Sequence, residues 1–176
     1  MKFLKTEIED LIIIQIEKNE DQRGYFARTW DKKIFEVQGL NSNLVQCNTS
    51  FSKKAGTLRG MHFQDSPFEE IKLVRCTKGK IFDVIIDLRP KSLTFKKWVS
   101  IELSEKNLKM VYVPEGCAHG FQTLEDNSEV FYQVSQFYSP QHENGIRWND
   151  PTFQIKWPLH VVEISEKDKT RYLFTE

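Results

Sequence analysis

Two histidines in this sequence lie beside glycines, where a side chain can meet a ligand at short range. His62 follows Arg59 and Gly60, and His119 immediately precedes Gly120. Glycine has no Cβ, so backbone and ligand can approach each other closely at such positions. An imidazole with an ordinary pKa of about 6.5 can accept or donate a proton near neutral pH. Each histidine is therefore a candidate acid-base group, although a lone histidine in such a place is more often a hydrogen-bonded structural residue.

A lysine and a tyrosine on strand-like segments could extend this chemistry. Strand alternation places Lys72 on the face of Val74, so the ammonium either faces solvent or enters the interior. The same rule places Tyr132 between Val130 and Val134 on one face, where the alternative is a core tyrosine with a bonded hydroxyl. A histidine base, a lysine cation and a tyrosine acid would together suit proton abstraction beside a carbonyl. The enolate oxygen needs a positive partner and the carbon needs a proton donor.

The elements that must position these residues are short strand-like runs. Runs rich in Val, Ile, Phe and Tyr recur between clusters of Gly, Pro, Asn and Lys, a pattern typical of an antiparallel all-β sandwich or barrel. Runs 72–76 and 81–88 are joined by residues 77–80, where Gly79 gives a hairpin signal. A short helix capped by Asp31 is predicted at 31–36, and the tail after Trp157 is predicted to wrap the barrel instead of joining it. Further strands are predicted at 99–103, 109–113, 120–124 and 130–137.

Composition and charge exclude several classes of protein. The chain has 176 residues, of which 25 are basic and 25 acidic, so zero net charge offers no global field to nucleic acid or anionic lipid. No apolar stretch approaches the roughly 20 residues that span a bilayer, and no signal-peptide pattern is present. We expect one domain over 1–176, cytoplasmic, with no nucleic-acid or membrane partner. The cysteines are odd in number and widely spaced, which predicts reduced structural thiols.

A metal site is one interpretation of the two histidines. The segment around His119 resembles the second motif of the cupin superfamily, small β-barrels that usually bind a metal through an H-x-H pair, a nearby Glu and the second-motif His. Here Gly60 and Gln64 occupy the positions two before and two after His62. His62, His119 and at most Glu69 would barely supply the three or four ligands that a divalent metal needs. We therefore expect no metal; a metal cupin, such as an oxygenase, stays the alternative.

A series of motifs in fixed order connects nearly the whole chain to one family. They are Asp21-x-Arg23-Gly24-x-Phe26, Gln46-x-Asn48-x-Ser50, Leu58-Arg59-Gly60-Met61-His62, Lys72-Leu73-Val74, Asp83-Val84-x-x-Asp87-Leu88-Arg89, Pro114-x-Gly116-x-Ala118-His119-Gly120-Phe121, Trp148-Asn149-Asp150-Pro151 and Ser165-x-Lys167-Asp168. The sequence resembles the dTDP-4-dehydrorhamnose 3,5-epimerases. The resemblance implies a cupin-type jelly-roll β-barrel with short peripheral helices. It also implies a cofactor-independent epimerase that inverts C3, C5 or both in a nucleotide-linked 4-keto-6-deoxyhexose through an enolate.

The resemblance implies roles for four catalytic residues. His62 would be the general base, and Asp168 the carboxylate that orients it and stabilises its protonated form. Tyr132 would be the acid on the opposite face of the sugar ring. Lys72 would polarise the C4 carbonyl, with Asp83 as its candidate partner or, equally, as a buried structural carboxylate.

The resemblance also implies a substrate-binding set and a homodimer. Arg59 and His119 would line the sugar and pyrophosphate part of the site, and Tyr138 would pack against the base. The strand carrying Arg23 and Phe26 would reach the active site of the partner subunit. The expected substrate-binding residues are Arg23, Phe26, Arg28, Gln46, Asn48, Ser50, Arg59, His119 and Tyr138.

One departure from the family pattern leaves the nucleotide open. The family commonly has Phe-x-Glu where this chain has Phe26-Ala27-Arg28, which replaces an acceptor by a donor. dTDP is the default and CDP or another base the alternative. An alternative of another class is a sugar-binding jelly roll without turnover. The pathway implied is deoxysugar supply for a bacterial surface polysaccharide or a glycosylated metabolite.

Overall fold

The computed structural model describes residues 1–175 and consists of short strands with two peripheral helices. The strands are β1 (Lys2–Lys5), β2 (Ile12–Gln15), β3 (Asn19–Asp21), β4 (Gly24–Phe26), β5 (Gln46–Ser52), β6 (Thr57–Gln64), β7 (Lys72–Lys78), β8 (Lys80–Asp87), β9 (Trp98–Ser104), β10 (Lys109–Val113), β11 (Cys117–Thr123), β12 (Ser128–Val134), β13 (Glu143–Gly145) and β14 (Glu163–Ile164). The helices are α1 (Lys32–Val37) and α2 (Glu166–Lys169). No helix within this part of the chain is long and apolar enough to cross a membrane.

Two sheets form the body of the fold. The first has the strand order β1-β2-β10-β7-β12-β5, and the second has the order β13-β6-β11-β8-β9. Strands β3 and β4 form a separate two-stranded sheet. Apart from β14, which runs parallel to β6, all the pairings are antiparallel. The all-β jelly-roll prediction, with short peripheral helices, is confirmed.

The main core lies between the two sheets. Val74 of β7 and Val111 of β10 come from the first sheet, and Ile85 of β8 and Leu103 of β9 come from the second. All four side chains have no accessible surface or almost none. Because strands place alternate side chains on opposite faces, each sheet contributes one apolar face to this core.

The predicted hairpin between β7 and β8 is wrong. The turn is present, with Gly79 at a φ of +72°, but β7 pairs with β10 and β12 whereas β8 pairs with β9 and β11. The chain therefore crosses from one sheet to the other at Gly79. Each of the two strands has one apolar face, and these faces pack against each other in the core between the sheets. Two strands of a hairpin would show the same alternation of apolar and polar residues, so the sequence pattern does not distinguish the two arrangements.

The peripheral elements confirm one prediction and correct another. Helix α1 begins after Asp31, whose side chain accepts a hydrogen bond from the Ile34 amide, as the predicted cap requires. The tail does not simply wrap the barrel. Glu163 and Ile164 form β14 and pair with the start of β6, and α2 follows directly. This short pairing brings the end of the chain to the strand that carries His62.

The cysteines are free thiols, as predicted. Burial raises the pKa of both Cys76 and Cys117 to about 12, so each stays protonated at neutral pH. Cys47 is exposed.

Asp87 provides a stability prediction because its fully buried carboxylate accepts several hydrogen bonds. Arg89 Nε donates at 2.9 Å, and the hydroxyls of Ser92 and Thr94 each donate at 2.6 Å. Burial alone would raise the pKa of Asp87, but these donors outweigh it and lower the pKa to about 2. We expect Asp87→Asn to reduce the free energy of unfolding at pH 7 by about 2–4 kcal/mol, since it leaves the donors of Arg89, Ser92 and Thr94 without their charged acceptor.

The pH dependence of that loss identifies its cause. A depressed carboxyl pKa stabilises the fold above its unfolded value of about 3.9, and this contribution disappears as the pH falls through the folded pKa. The difference between wild type and Asp87→Asn in urea unfolding should therefore shrink between about pH 4 and pH 2. A difference that stays constant over this window would contradict the assignment.

Candidate active site

A cavity of about 840 Å³ is lined by residues from both sheets. Strands β5, β7 and β12 contribute from the first sheet, and β6 and β11 from the second. The polar lining residues are Gln46, Asn48, Ser50, Thr57, Arg59, His62, Gln64, Glu70, Lys72, His119, Tyr132, Gln136, Tyr138, Glu143, Glu163, Ser165, Lys167 and Asp168. Aromatic and aliphatic side chains complete the wall, so the cavity combines apolar surface with polar groups in the way that small-molecule sites do.

The structure brings most of the predicted site residues to this cavity. All four predicted catalytic residues line it, as do the predicted binding residues Gln46, Asn48, Ser50, Arg59, His119 and Tyr138. Arg23, Phe26 and Arg28 do not. Arg23 and Phe26 belong to the exposed segment 19–26, where Arg23 pairs with Asp21, and Arg28 pairs with Asp31. Within one chain these three side chains are therefore not part of the site.

His62 and Asp168 form a hydrogen-bonded pair at the cavity wall. His62 Nε2 lies 2.6 Å from Asp168 Oδ1. Asp168 is held on α2, where its amide donates to the Ser165 cap at 3.1 Å, and its Oδ2 accepts from the Gly60 amide at 3.3 Å. The tail thus delivers a carboxylate to a histidine on a distant strand.

Glycine is required where this pair is anchored. Gly60 has a φ of +125°, and a Cβ there would lie 2.5 Å from the Gly120 Cα. Strands β6 and β11 can therefore approach closely at this point, which places His62 directly across from His119 in the register of the two strands.

The environment of Asp168 favours its ionised form, which can orient His62 for proton transfer. Burial opposes ionisation of Asp168, but the hydrogen bond and charge of His62, with the Gly60 amide and Ser165, outweigh burial and lower its pKa. An ionised carboxylate on Nε2 fixes the histidine tautomer and leaves Nδ1 as the nitrogen that accepts a proton. The His62 side chain is 38% exposed, so a ligand in the cavity can reach it.

Lys72 enters the interior, which settles the alternative left open by strand alternation. Its side chain is 11% exposed, and its Nζ lies 2.9 Å from Glu70 Oε1 and 3.2 Å from the carbonyl oxygen of His62. The lysine comes from the first sheet and the carbonyl from the second, so the ammonium bridges the two walls. A cation held in this way can stabilise negative charge that develops on a ligand oxygen.

Tyr132 lies on the first sheet, next to the strand of Lys72. In the strand register it is opposite Val74 of β7 and Asn48 of β5. Burial raises the pKa of Tyr132; the charge of Arg59 acts against this shift and that of Glu70 adds to it. The phenol therefore stays protonated at neutral pH and can donate.

The alternative of a metal site requires several histidine and carboxylate side chains that converge on one point. No group of three or more His, Cys, Asp or Glu side chains in residues 1–175 is placed to hold a metal ion. His62 faces Asp168, and His119 Nε2 lies 2.7 Å from Asp83 Oδ1. Glu69, the third candidate ligand, does not line the cavity.

Comparison with known proteins decides the family. A family model described as dTDP-4-dehydrorhamnose 3,5-epimerase matches residues 5–176. The chain belongs to the dTDP-4-dehydrorhamnose 3,5-epimerase family. The resemblance drawn from the ordered motifs is thereby confirmed, and with it membership of a family of isomerases.

Relatives match this family member over nearly their whole length. The dTDP-4-dehydrorhamnose 3,5-epimerase of Shigella flexneri is 43% identical, and the match covers 96% of this chain and 93% of the relative. A structure of the Bacillus anthracis enzyme, with TDP and PPi bound, superposes with a TM-score of 0.96 at 40% identity, covering 98% of this chain and 99% of that one. The Legionella pneumophila enzyme in complex with dTDP-4-keto-L-rhamnose gives a TM-score of 0.92 at 37% identity, covering 98% and 92%.

Asp83 contacts a different partner from the one proposed for it. In this family member the carboxylate paired with Lys72 is Glu70, and Asp83 contacts His119. Burial raises the pKa of Asp83, while His119 and Lys72 act in the opposite direction. Asp83 therefore holds the second histidine in place. Of the two roles left open for it, partner of Lys72 or buried hydrogen-bonded carboxylate, its contacts agree with the second.

Four charged residues of the cavity were not predicted from the sequence, namely Glu70, Glu143, Glu163 and Lys167. Glu70 lies two positions before Lys72, just before β7 begins, so continuing the strand alternation backwards would place both side chains on one face. Lys167 lies inside the quoted motif before Asp168 and could have been taken from it. Glu143 pairs with Lys167 and Arg171. These contacts join segments that are distant in the sequence, so no local sequence pattern predicts them.

Proposed function

We propose that this protein converts dTDP-4-dehydro-6-deoxyglucose to dTDP-4-dehydrorhamnose by inverting C3 and C5 through an enolate, without a cofactor. One observation carries the proposal. A hydrogen-bonded His62–Asp168 pair comes from one side of the cavity, and Lys72 and Tyr132 come from the sheet on the other side. A base and an acid on opposite faces of a bound sugar ring are what inversion at carbon requires.

The reaction follows from these placements. His62 removes the proton from the carbon beside the C4 ketone. The C–H electron pair forms a C=C bond to C4, and the carbonyl π pair moves to the C4 oxygen, which gives an enolate. An N–H of Lys72 stabilises that oxyanion. Tyr132 then gives its proton to the same carbon from the opposite face as the ketone re-forms. Solvent reprotonates the Tyr132 phenolate and takes the proton from His62, so the enzyme returns to its starting state.

A panel of ketosugars tests the substrate. The dTDP-, CDP- and GDP-linked 4-keto-6-deoxyglucoses are each incubated with the purified protein, and NMR follows configuration at C3 and C5. We expect inversion at both centres with the dTDP-linked sugar at the highest kcat/KM. Conversion of none of the three would contradict the proposal, and preference for CDP would correct the nucleotide.

Two features support a dTDP-sugar as ligand. The named ligands of the Bacillus anthracis and Legionella pneumophila structures are TDP and dTDP-4-keto-L-rhamnose. In this chain Arg59 and Lys167 add cations to the cavity wall, where a pyrophosphate would need them.

Tyr132→Phe should separate exchange from inversion. The variant keeps the base and the cation but removes the acid, so the enolate can form and return to substrate. We expect inversion to fall by about 10²–10⁴-fold, while solvent deuterium still enters C3 or C5 of the recovered substrate at a measurable rate. NMR of the sugar in heavy water measures both. Inversion at the wild-type rate would remove Tyr132 from the proposed mechanism.

We also propose a homodimer in which the segment around β3 and β4 reaches the partner's site. Phe26 is 65% exposed, and within residues 1–175 the Arg23 side chain bonds to Asp21, two positions away. An exposed aromatic beside an exposed guanidinium is a poor surface for a monomer and a good one for contact with a nucleotide. In a two-fold dimer each site would receive this pair from the other chain.

Mixing two inactive variants tests this exchange. His62→Ala spoils the site of its own chain, whereas Arg23→Ala would spoil the site of the partner. A refolded equal mixture forms hybrids with one intact site, so activity should recover to about a quarter of the wild-type value for an isologous pair. The separate variants at the same concentration are the controls. No recovery, or a monomer in light scattering, would contradict the exchange.

A further inference from the structure

We propose that Glu70 is a positioning residue: together with the His62 carbonyl it holds the Lys72 ammonium so that one N–H is left for the substrate's carbonyl oxygen. The inference rests on the proposed function, which makes Lys72 the cation that meets this oxygen. It assigns a task to a residue that lies outside the four catalytic groups.

The donor count of the ammonium carries the argument. A lysine ammonium has three N–H donors and no acceptor. Glu70 Oε1 takes one at 2.9 Å and the His62 carbonyl takes a second at 3.2 Å. One donor remains, and Lys72 lines the cavity. Two fixed acceptors thus determine where the third N–H can lie.

Burial makes this fixation effective. The side chains of Lys72 and Glu70 are 11% and 7% exposed, so water competes little for either partner. A free lysine loses rotamer entropy when it is ordered. In this site that ordering precedes substrate binding, because the acceptors belong to the protein. Pre-ordering of a catalytic group lowers the barrier of the step that uses it.

The second carboxylate oxygen argues against a purely structural role. Glu70 Oε2 is buried and has no hydrogen-bond partner within residues 1–175. An unpaired buried acceptor destabilises the fold because it has lost its hydrogen bonds to water. An isolated ion pair built for stability would satisfy both oxygens, whereas a carboxylate placed to direct one lysine needs only the oxygen that faces the ammonium.

Two conservative variants of Glu70 separate the effect of its side-chain length from the effect of its negative charge. Glu70→Gln keeps the length and an acceptor oxygen but removes the charge, and Glu70→Asp keeps the charge but shortens the side chain by one methylene. Positioning predicts that kcat with dTDP-4-dehydro-6-deoxyglucose stays within about threefold of wild type in Glu70→Gln and falls about tenfold in Glu70→Asp. KM should change by less than about threefold in both, because the effect lies on the step that uses Lys72.

Control variants distinguish a failure of the positioning role of Glu70 from a failure of the proposed epimerase function. Glu69→Gln removes the neighbouring charge outside the cavity and should leave kcat unchanged, and calorimetric binding of dTDP checks that each variant keeps its site. Equal kcat in both Glu70 variants, a larger loss in Glu70→Gln than in Glu70→Asp, or a loss confined to KM would overturn the positioning role. A wild-type protein that turns over no ketosugar would instead defeat the proposed function.

Discussion

His62→Ala is expected to lower kcat for dTDP-4-dehydro-6-deoxyglucose by about 10²–10⁴-fold, the contribution of a placed general base. The same variant should lose solvent deuterium exchange at C3 and C5, since it removes the imidazole that Asp168 orients at the cavity wall to take the proton from these carbons. NMR in heavy water measures exchange, and a progress curve of inversion measures kcat.

The matched control is His160→Ala, which removes an exposed histidine outside the cavity. Its kcat should stay at the wild-type value. Binding of dTDP to His62→Ala should remain within about threefold of wild type, because the base acts on the sugar and not on the nucleotide. Turnover by His62→Ala at the wild-type rate would remove His62 from the role of base.

Lys72→Met is expected to lower kcat by about 10²–10³-fold, the range found when one preorganised oxyanion donor is removed. Methionine keeps much of the lysine stem but offers no N–H to the C4 oxygen. Exchange and inversion should fall together, because both pass through the enolate. This parallel loss distinguishes Lys72→Met from Tyr132→Phe, in which exchange outlasts inversion.

A double variant distinguishes loss of the Lys72 cation from the destabilisation caused by leaving Glu70 buried without a partner. Lys72→Met leaves Glu70 without its cation, and an uncompensated buried carboxylate destabilises a fold by about 3–5 kcal/mol. Adding Glu70→Gln removes that charge and should restore the melting temperature while kcat stays low. Lys78→Met, at the exposed end of the same strand, is the control for a lost surface lysine. Recovery of kcat in the double variant would show that misfolding, and not loss of the cation, caused the defect.

The sequence was most informative where one pattern had one structural solution. Alternation along β7 and β12 placed Lys72 with Val74 and Tyr132 with Val130, and both side chains line or border the interior. The cap at Asp31 was equally local. These predictions needed only the period of a strand or the first turn of a helix.

The misses required information from distant parts of the chain. The turn at Gly79 is compatible with a hairpin or with a crossing between sheets, and only the packing of β7 and β8 on a common core chooses the second. The pairing of β14 with β6 involves two residues, too few for a periodic signal. Glu70 is close to Lys72 in the sequence, but its burial could not be predicted without the path of the chain before β7.

Net charge was the least informative quantity. The chain is neutral overall, yet Arg59, Lys72 and Lys167 line one cavity. Their charges are met in part by Glu70, Glu143 and Asp168 at the same wall. A balanced composition therefore excludes a global field but says nothing about a local site for an anionic ligand.

Deuterium wash-in by the wild-type protein tests the enolate mechanism most directly. The protein is incubated with dTDP-4-dehydro-6-deoxyglucose in heavy water, and NMR reads isotope and configuration at each carbon of the sugar. The account predicts that every molecule inverted at C3 or C5 carries solvent deuterium at that carbon, with none at the remaining ring positions. Inverted product that keeps its original hydrogen at those carbons would contradict removal of that proton by His62 and delivery of a solvent-derived one by Tyr132, as would the absence of both deuterium and inversion.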